Sequence, residues 1–284
     1  MLNKKIILGV TGSIAAYKSA ELIRVLKKQG ADIQVIMTKS AKEFISPLTL
    51  QALSGNPVLE NMWEPSCGNG MEHISQARKA DLILIAPASA NFIAKLAQGL
   101  SDDLLSTICL ARTCPILIAP SMNKQMWQNA ATKRNISIIT KDGINISGPE
   151  SGEQACGEEG MGRFINEKML LLDIARVTNL SIFKGKNILI SCGATFEKID
   201  DARAITNLSS GKMGFSILDK AYALGANVTV IYGRTEKLPP SGIKCIYAPN
   251  HKMMYKSIII GTEINTELIN KLNIITTKQI PRKT

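Results

Sequence analysis

Aromatic side chains make up only 5% of the 284 residues, and there are just two histidines, His73 and His251. So few aromatics argue against a stacking platform for single-stranded nucleic acid. The six cysteines (Cys67, Cys109, Cys114, Cys156, Cys192 and Cys245) contain no C-x-x-C pair. With two histidines, that argues against a Cys/His zinc site, and no metal is expected. An even cysteine count in a chain of this length does not imply disulfides, so reduced thiols in a cytoplasmic setting are expected. Long apolar runs are absent too. None approaches the ~18 residues of a membrane span, and the densest, Leu82–Ala86 and Ile116–Ala119, are strand-length and bounded by Pro87, Pro115 and Pro120. At the start, Ile6–Val10 is cut off by Thr11-Gly12-Ser13, too early for the apolar region of a signal peptide.

What is present is a globular composition, 45% hydrophobic and 20% charged, long enough for one large or two ordinary domains. The net charge is +11. The first 180 residues carry 19 Lys/Arg against 16 Asp/Glu, and the remainder carries 15 against 7. The charges are scattered singly rather than gathered into a basic helix or arm. A phosphorylated small molecule therefore suits the surface better than nucleic acid.

Strand-like and helix-like segments alternate. Lys5–Val10, Ile33–Met37, Leu82–Ala86, Ile116–Ala119 and Ile136–Thr140 read as strands. Ile14–Gln29 (stopped by Gly30), Ala90–Ala97, Leu104–Ala111 and Asn123–Arg134 read as helices. Strands apolar on both faces and joined by helices predict an open parallel sheet covered on both sides, an α/β fold of the flavodoxin-like or Rossmann-like kind. Gly148–Arg163, with five glycines and Pro149, reads as a long irregular loop of the lid type. The helix Ile165–Val177 closes a domain over 1–178, followed by a linker over 179–186. A second α/β unit over 187–256 offers a strand Ile188–Ser191, a turn Gly193-Ala194-Thr195, a helix Gly211–Leu224 and a strand Val228–Tyr232. After that the alternation decays. Over 257–284, Ile, Thr, Lys and Asn supply 19 of 28 residues, which predicts a tail without regular structure. Two strands and one helix cannot bury a core, so the unit reads as unfinished.

Four strand ends carry small hydroxyl or amide residues: Gly12-Ser13-Ile14, Thr38-Lys39-Ser40, Pro87-Ala88-Ser89-Ala90-Asn91 and Pro120-Ser121-Met122-Asn123. In open α/β sheets, ligands bind outside the carboxyl ends of the strands. Gly12 permits a tight turn and Ser13 can cap the helix, leaving an anion site at its N-terminus. A capped helix without a ligand, and ordinary turn chemistry at the other three ends, are the plain alternatives. His73 is suited to proton transfer near neutral pH, although a lone histidine is more often structural. Cys156, in a glycine-rich polar loop, is better placed for chemistry than a buried thiol.

The segments Gly12–Lys18, His73, Pro87–Asn91, Pro120–Asn123 and Ala155-Cys156-Gly157 together resemble the phosphopantothenoylcysteine decarboxylases, flavoproteins of coenzyme A biosynthesis. The likeness runs from the first strand to about residue 178, with Ser121 where the family usually has Ala. Residues from Asn187 onward resemble the start of phosphopantothenate–cysteine ligase, best at Asn207–Gly214, with Asn207 and Lys212 as ligase-like positions. This likeness ends near Tyr255, and the A-A-V-A-D-Y and Lys-rich nucleotide segments of the ligase are not found downstream. The arrangement resembles the bacterial bifunctional enzyme cut short, as a shifted reading frame would leave it. Recovery of the missing segment in another frame of the gene would be the sign of such a shift. Ligation with CTP and Mg is accordingly not expected.

The resemblance implies a homo-oligomer built on trimers, and FMN held by Gly12, Ser13, Ile14, Thr38, Ser40, Ser89, Ala90, Asn91 and Ser121. It implies conversion of 4′-phosphopantothenoylcysteine to 4′-phosphopantetheine by oxidation of the thiol carbon, loss of CO₂ and reduction of the ene-thiolate. In that scheme His73 moves a proton in the oxidative half. Asn123, beside Met122, holds the leaving carboxylate, and Cys156 supplies the last proton. The alternatives are the full bifunctional enzyme and a non-catalytic flavin-fold regulatory subunit.

Overall fold

A computed structural model describes residues 3–62, 78–236 and 239–263, with side chains of the last helix described to residue 260. Two compact units divide the chain, Met1–Leu180 and Ser181–Thr284. In the first, five strands form one parallel sheet: β1 (Lys5–Val10), β2 (Asp32–Met37), β3 (Leu82–Ala88), β4 (Ile116–Pro120) and β5 (Asn145–Ile146), in the order β2-β1-β3-β4-β5. That order is the flavodoxin-like doubly wound topology, in which the crossovers diverge between β1 and β3.

The reason is legible strand by strand. Ile6, Ile7, Leu8 and Val10 are all buried, as is every residue of β3 and β4. Such strands are stable only when helices cover both faces. Ile83, Ile85 and Ile118 meet Phe92, Leu105 and Ile108 from the helices Ala90–Gln98 and Leu104–Leu110. Burying each such side chain contributes about 1.5–3 kcal/mol. Asp103 fixes the start of the second helix, its Oδ1 accepting from Ser106 N–H (2.8 Å) while Ser106 Oγ accepts from Asp103 N–H (3.2 Å). The first crossover opens as a short 3₁₀ turn, Ile14–Tyr17, before the helix Lys18–Lys28, where one continuous helix was expected.

Two further expectations fail in this unit. Ile136–Thr140 is not a strand, because it lies inside the helix Ala130–Lys141, and Asn129 separates that helix from Lys124–Gln128. The buried residues obey helical spacing, with Thr132, Asn135 and Ile139 on one face, and Asn129 Oδ1 caps the helix at Ala131 N–H (2.9 Å). Gly148–Arg163 is not irregular either. Glu150–Glu153 (β6) and Glu159–Arg163 (β7) pair as an antiparallel hairpin, with Cys156 in its turn.

The second unit has a parallel sheet of three strands in the order β12-β11-β8: β8 (Asn187–Cys192), β11 (Asn227–Tyr232) and β12 (Lys244–Tyr247). A short antiparallel ribbon joins β9 (Phe196–Lys198) to β10 (Ala204–Thr206). The helix Lys212–Ala223 packs Phe215 and Leu218 onto Ile190, Val228 and Val230. At Gly214 a Cβ would lie 2.2 Å from Cys192 Cβ, so glycine permits the close helix–strand approach. Alternation does not decay after Tyr232: β12 and the helix His251–Glu263 follow. The sequence hid them because β12 is four residues long and the helix carries an Ile run without clean periodicity. Residues 257–263, expected in the tail, belong to that helix. Phe183, expected in the linker, packs on this unit's core and donates its N–H to Leu224 C=O (3.0 Å).

Gly9, in the middle of β1, faces Ile85 and Leu105. A Cβ there would lie 2.7 Å from a methyl carbon of each. Gly9→Ala should therefore overpack the first core and destabilise it by about 1–3 kcal/mol. The check is a lowered urea midpoint of the corresponding unfolding transition, with its slope unchanged.

Candidate functional site

The carboxyl ends of β1, β3 and β4 border a cavity of about 590 Å³, within the range of small-molecule sites. Of the residues singled out in the sequence, Gly12, Ser13 and Ile14 line it from the first strand end, and Ser89 and Ala90 from the second. Ser121, Met122 and Asn123 line it from the third, and Cys156 from the hairpin turn. Thr38, Ser40 and Asn91 do not line it. Thr38 instead donates its N–H to Val10 C=O (3.1 Å). Ser40 packs behind Gly12, where a Cβ would come within 2.5 Å of Ser40 Cβ. That contact makes glycine necessary at the turn. His73 lies outside the described residues. Asn207 and Lys212 belong to the second unit, where Asn207 Oδ1 accepts from Ser209 N–H (3.1 Å) and Lys212 pairs with Glu236 (2.8 Å).

The cavity floor is stitched by hydroxyls. Ser13 sits in extended backbone at the head of the 3₁₀ turn, accepts from Ala15 N–H (3.3 Å) and donates to Ser121 Oγ (3.1 Å). Both serines are buried. Ser89 caps the helix Ala90–Gln98 by accepting from Phe92 N–H (3.3 Å). These two helix starts leave first-turn N–H groups at the cavity, a setting that favours an anion.

The hairpin Glu150–Arg163 forms the opposite wall. Met122 N–H donates to Gly162 C=O (3.0 Å). Gly162 has φ 134°, and a Cβ would sit 2.3 Å from Met122 O, so only glycine allows this contact. Gln154 Oε1 accepts from Lys124 N–H (3.0 Å), tying the turn to the next helix. Asn123 Oδ1 accepts from Gln125 N–H (2.7 Å), which directs its Nδ2 toward the hairpin. There Nδ2 donates to Glu158 Oε2 (2.8 Å) and Cys156 Sγ (3.5 Å). Cys156 is exposed, whereas burial pushes the Cys109 thiol up to about 12.

Sequence reasoning gave no role to Lys18, Arg163, Gln154 or Phe164, which also line the cavity. It missed Thr11 as well, whose hydroxyl donates to Pro87 C=O (2.8 Å) and accepts from Ser89 N–H (2.8 Å). The available signal was position. Lys18 ends the turn after β1, and Arg163 ends the glycine-rich segment. Lys18 Nζ lies 5.3 Å from the centre of the Phe164 ring, which partly replaces lost hydration. Burial, and then the Arg163 guanidinium, hold the Lys18 pKa below its ordinary 10.5, against the pull of Glu150. Among the described residues no group of His, Cys, Asp and Glu is placed to hold a metal ion, and no helix is long and apolar enough to cross a membrane.

The flavoprotein family model matches residues 1–178. The model for the DNA/pantothenate metabolism flavoprotein C-terminal domain matches residues 183–267. The second match runs past Tyr255, where the sequence likeness was expected to end. A coenzyme A biosynthesis bifunctional protein CoaBC from Vibrio parahaemolyticus is 46% identical over 259 residues, covering 91% of this chain and 65% of the relative. Its Escherichia coli counterpart is 45% identical over 271 residues, 92% of this chain and 67% of the relative. The chain thus spans about two thirds of the length of these relatives. Among solved structures, a PPC decarboxylase mutant complexed with pantothenoylaminoethenethiol superposes with TM-score 0.54 at 30% identity, covering 61% of this chain and 96% of that one. The FMN binding protein AtHal3 superposes with TM-score 0.52 at 31% identity, covering 61% and 95%.

Because the folded-state pKa of Lys18 is lowered, the unfolded chain binds the extra proton between that value and 10.5. Stability contributed by this group therefore rises with pH across that window. Arg163→Met removes one lowering influence, so the Lys18 pKa should move up toward its ordinary value. The check is an NMR titration of the Lys18 side chain; an unchanged or lower value would contradict the pairing.

Proposed function

Because the chain belongs to the flavoprotein family, we propose that its first unit binds FMN and decarboxylates 4′-phosphopantothenoylcysteine to 4′-phosphopantetheine. The observation that carries this reading is one cavity at the β1/β3 divergence where the Ser13–Ser121 pair, the Asn123 amide and the Cys156 thiol converge. The cavity fits the cofactor in volume and in donor set: three serine hydroxyls, two helix starts and apolar Ala90 and Met122 beside them. Ser13, Ile14, Ser89 and Ser121 would hold it. When bound, FMN supplies a two-electron acceptor that is regenerated within the same turnover.

The chain's own groups handle charge, water and protons. Replacing the carboxylate by hydrogen requires one proton delivered to the substrate. Cys156, on the hairpin turn over the cavity, is the donor in this reading, and His73 is the acceptor in the earlier oxidative half. Asn123 Nδ2 donates to the carboxylate that leaves. Lys18 and Arg163 repel each other across the cavity, and an anionic substrate relieves that repulsion. The hairpin, docked at Gly162 and Gln154, keeps water from the reacting carbon.

Two measurements test this. The purified protein, given FMN, should show flavin absorption bands and release CO₂ from the substrate. In an anaerobic single turnover, Cys156→Ser should release CO₂ normally but accumulate the decarboxylated ene-thiol, because a hydroxyl is a far poorer acid than a thiol. Normal 4′-phosphopantetheine at an undiminished rate would remove Cys156 from the mechanism, and a colourless protein that takes up no FMN would remove the reading.

Ile14, Tyr17 and Met126 line the cavity yet are 57%, 59% and 49% exposed. Apolar side chains left open at a cavity favour cover by a neighbouring copy, which supports a homo-oligomer, the trimer being what the family resemblance implies. Light scattering should find the assembly, and Tyr17→Lys should lower both its mass and its FMN content. An active, FMN-loaded monomer would refute it.

A further inference from the structure

Both ends of the Asn123 side chain are committed. Its Oδ1 caps Gln125 N–H at 2.7 Å, which fixes the amide orientation. A primary amide has only two N–H donors, and Nδ2 reaches two acceptors on the hairpin, Glu158 Oε2 at 2.8 Å and Cys156 Sγ at 3.5 Å. An incoming carboxylate therefore finds no unused donor on Asn123. The nearer acceptor is itself a carboxylate, two residues beyond Cys156, on the same turn. Glu158 is anchored there through its backbone, its C=O accepting from Gln154 N–H (2.9 Å). Its side chain is exposed, so releasing it into water strands no buried charge.

We propose that Glu158 is a positioning residue that occupies, in the ligand-free protein, the donor used by the carboxylate of the substrate. This rests on the reading of Asn123 as the group that holds that carboxylate. Substrate binding is then an exchange of one carboxylate for another on Asn123 Nδ2. Release of Glu158 removes one tie between the segment that carries Cys156 and Asn123, while Gly162 and Gln154 keep the hairpin docked. The Glu158 tie is broken only by a ligand that carries the leaving group. The decarboxylated product lacks that carboxylate, so Glu158 returns to Asn123 as the reaction ends and favours product release.

The test compares two unreactive ligands on the FMN-loaded protein by calorimetry. 4′-Phosphopantothenoylserine keeps the carboxylate and replaces the thiol by a hydroxyl, and 4′-phosphopantothenoylethanolamine lacks the carboxylate. Glu158→Ala should tighten the first by about three- to ten-fold, the worth of one competing hydrogen bond, and leave the second unchanged. Glu158→Gln, which keeps an acceptor but not the charge, should fall between wild type and Glu158→Ala. Weaker binding of the carboxylated ligand, or an equal change for both ligands, would overturn the exchange and make Glu158 a support of the hairpin. Wild-type affinity for both ligands would overturn it as well. If neither ligand binds the wild-type protein, the assignment of the substrate fails first, and the exchange fails with it.

Discussion

The Thr11 hydroxyl is the contact on which the cavity geometry depends. It donates to Pro87 C=O and accepts from Ser89 N–H, both at 2.8 Å, joining the end of β1 to the end of β3. These are the neighbouring strands from which the chain departs to opposite faces of the sheet, so a crevice between them is unavoidable. One buried side chain, 1% exposed, sets how wide that crevice opens. Ser13 and Ser89, the two helix-capping serines, lie beside it, Ser13 as the next-but-one residue in sequence and Ser89 as its hydrogen-bonded partner. Their positions follow from it, and through Ser13 so does that of Ser121.

On this fixed floor the hairpin adds an adjustable wall. Gly162 lets its backbone meet the Met122 carbonyl, and Gly160 leaves room for the Lys124 side-chain stem, so β7 lies close against the segment after β4. The functional groups are divided accordingly. The capping serines Ser13 and Ser89, with Ser121, sit on the sheet edge, and the Cys156 thiol and Glu158 carboxylate, for which a change of partner is proposed, sit on the hairpin. Lys18 belongs to the first set and Arg163 to the second, so the electrostatic tension between them also spans the two walls.

Much of this was legible in the sequence, for identifiable reasons. Continuous apolar runs between Pro and Gly gave β1, β3 and β4 to within two residues, because a strand buried on both faces has no polar positions to blur its limits. The serines were visible because strand ends in such sheets carry the ligand. Ile136–Thr140 misled because a short Ile-rich segment satisfies either period, and only the burial of Thr132, Asn135 and Ile139 decides for helix. The hairpin was hidden because its pairing is made by glycine and charged residues, which score poorly as strand. Arg163 and Glu158 could not be chosen among the scattered charges, since their importance comes from partners far upstream in the chain, Asn123 for Glu158 and Lys18 for Arg163.

The glycine content of the hairpin also has an energetic side. A segment with so many glycines gains more backbone freedom on leaving its docked position than ordinary chain would. Its hold on the protein is therefore a handful of hydrogen bonds, each worth about 0.5–1.5 kcal/mol. Since 1.4 kcal/mol is a factor of ten in an equilibrium constant, every tie added or removed changes the ratio of docked to undocked hairpin by several-fold. Substitution at Gln154, which ties the turn to Lys124 N–H, would therefore shift how firmly the hairpin is held while leaving Ser13, Ser89 and Ser121 untouched.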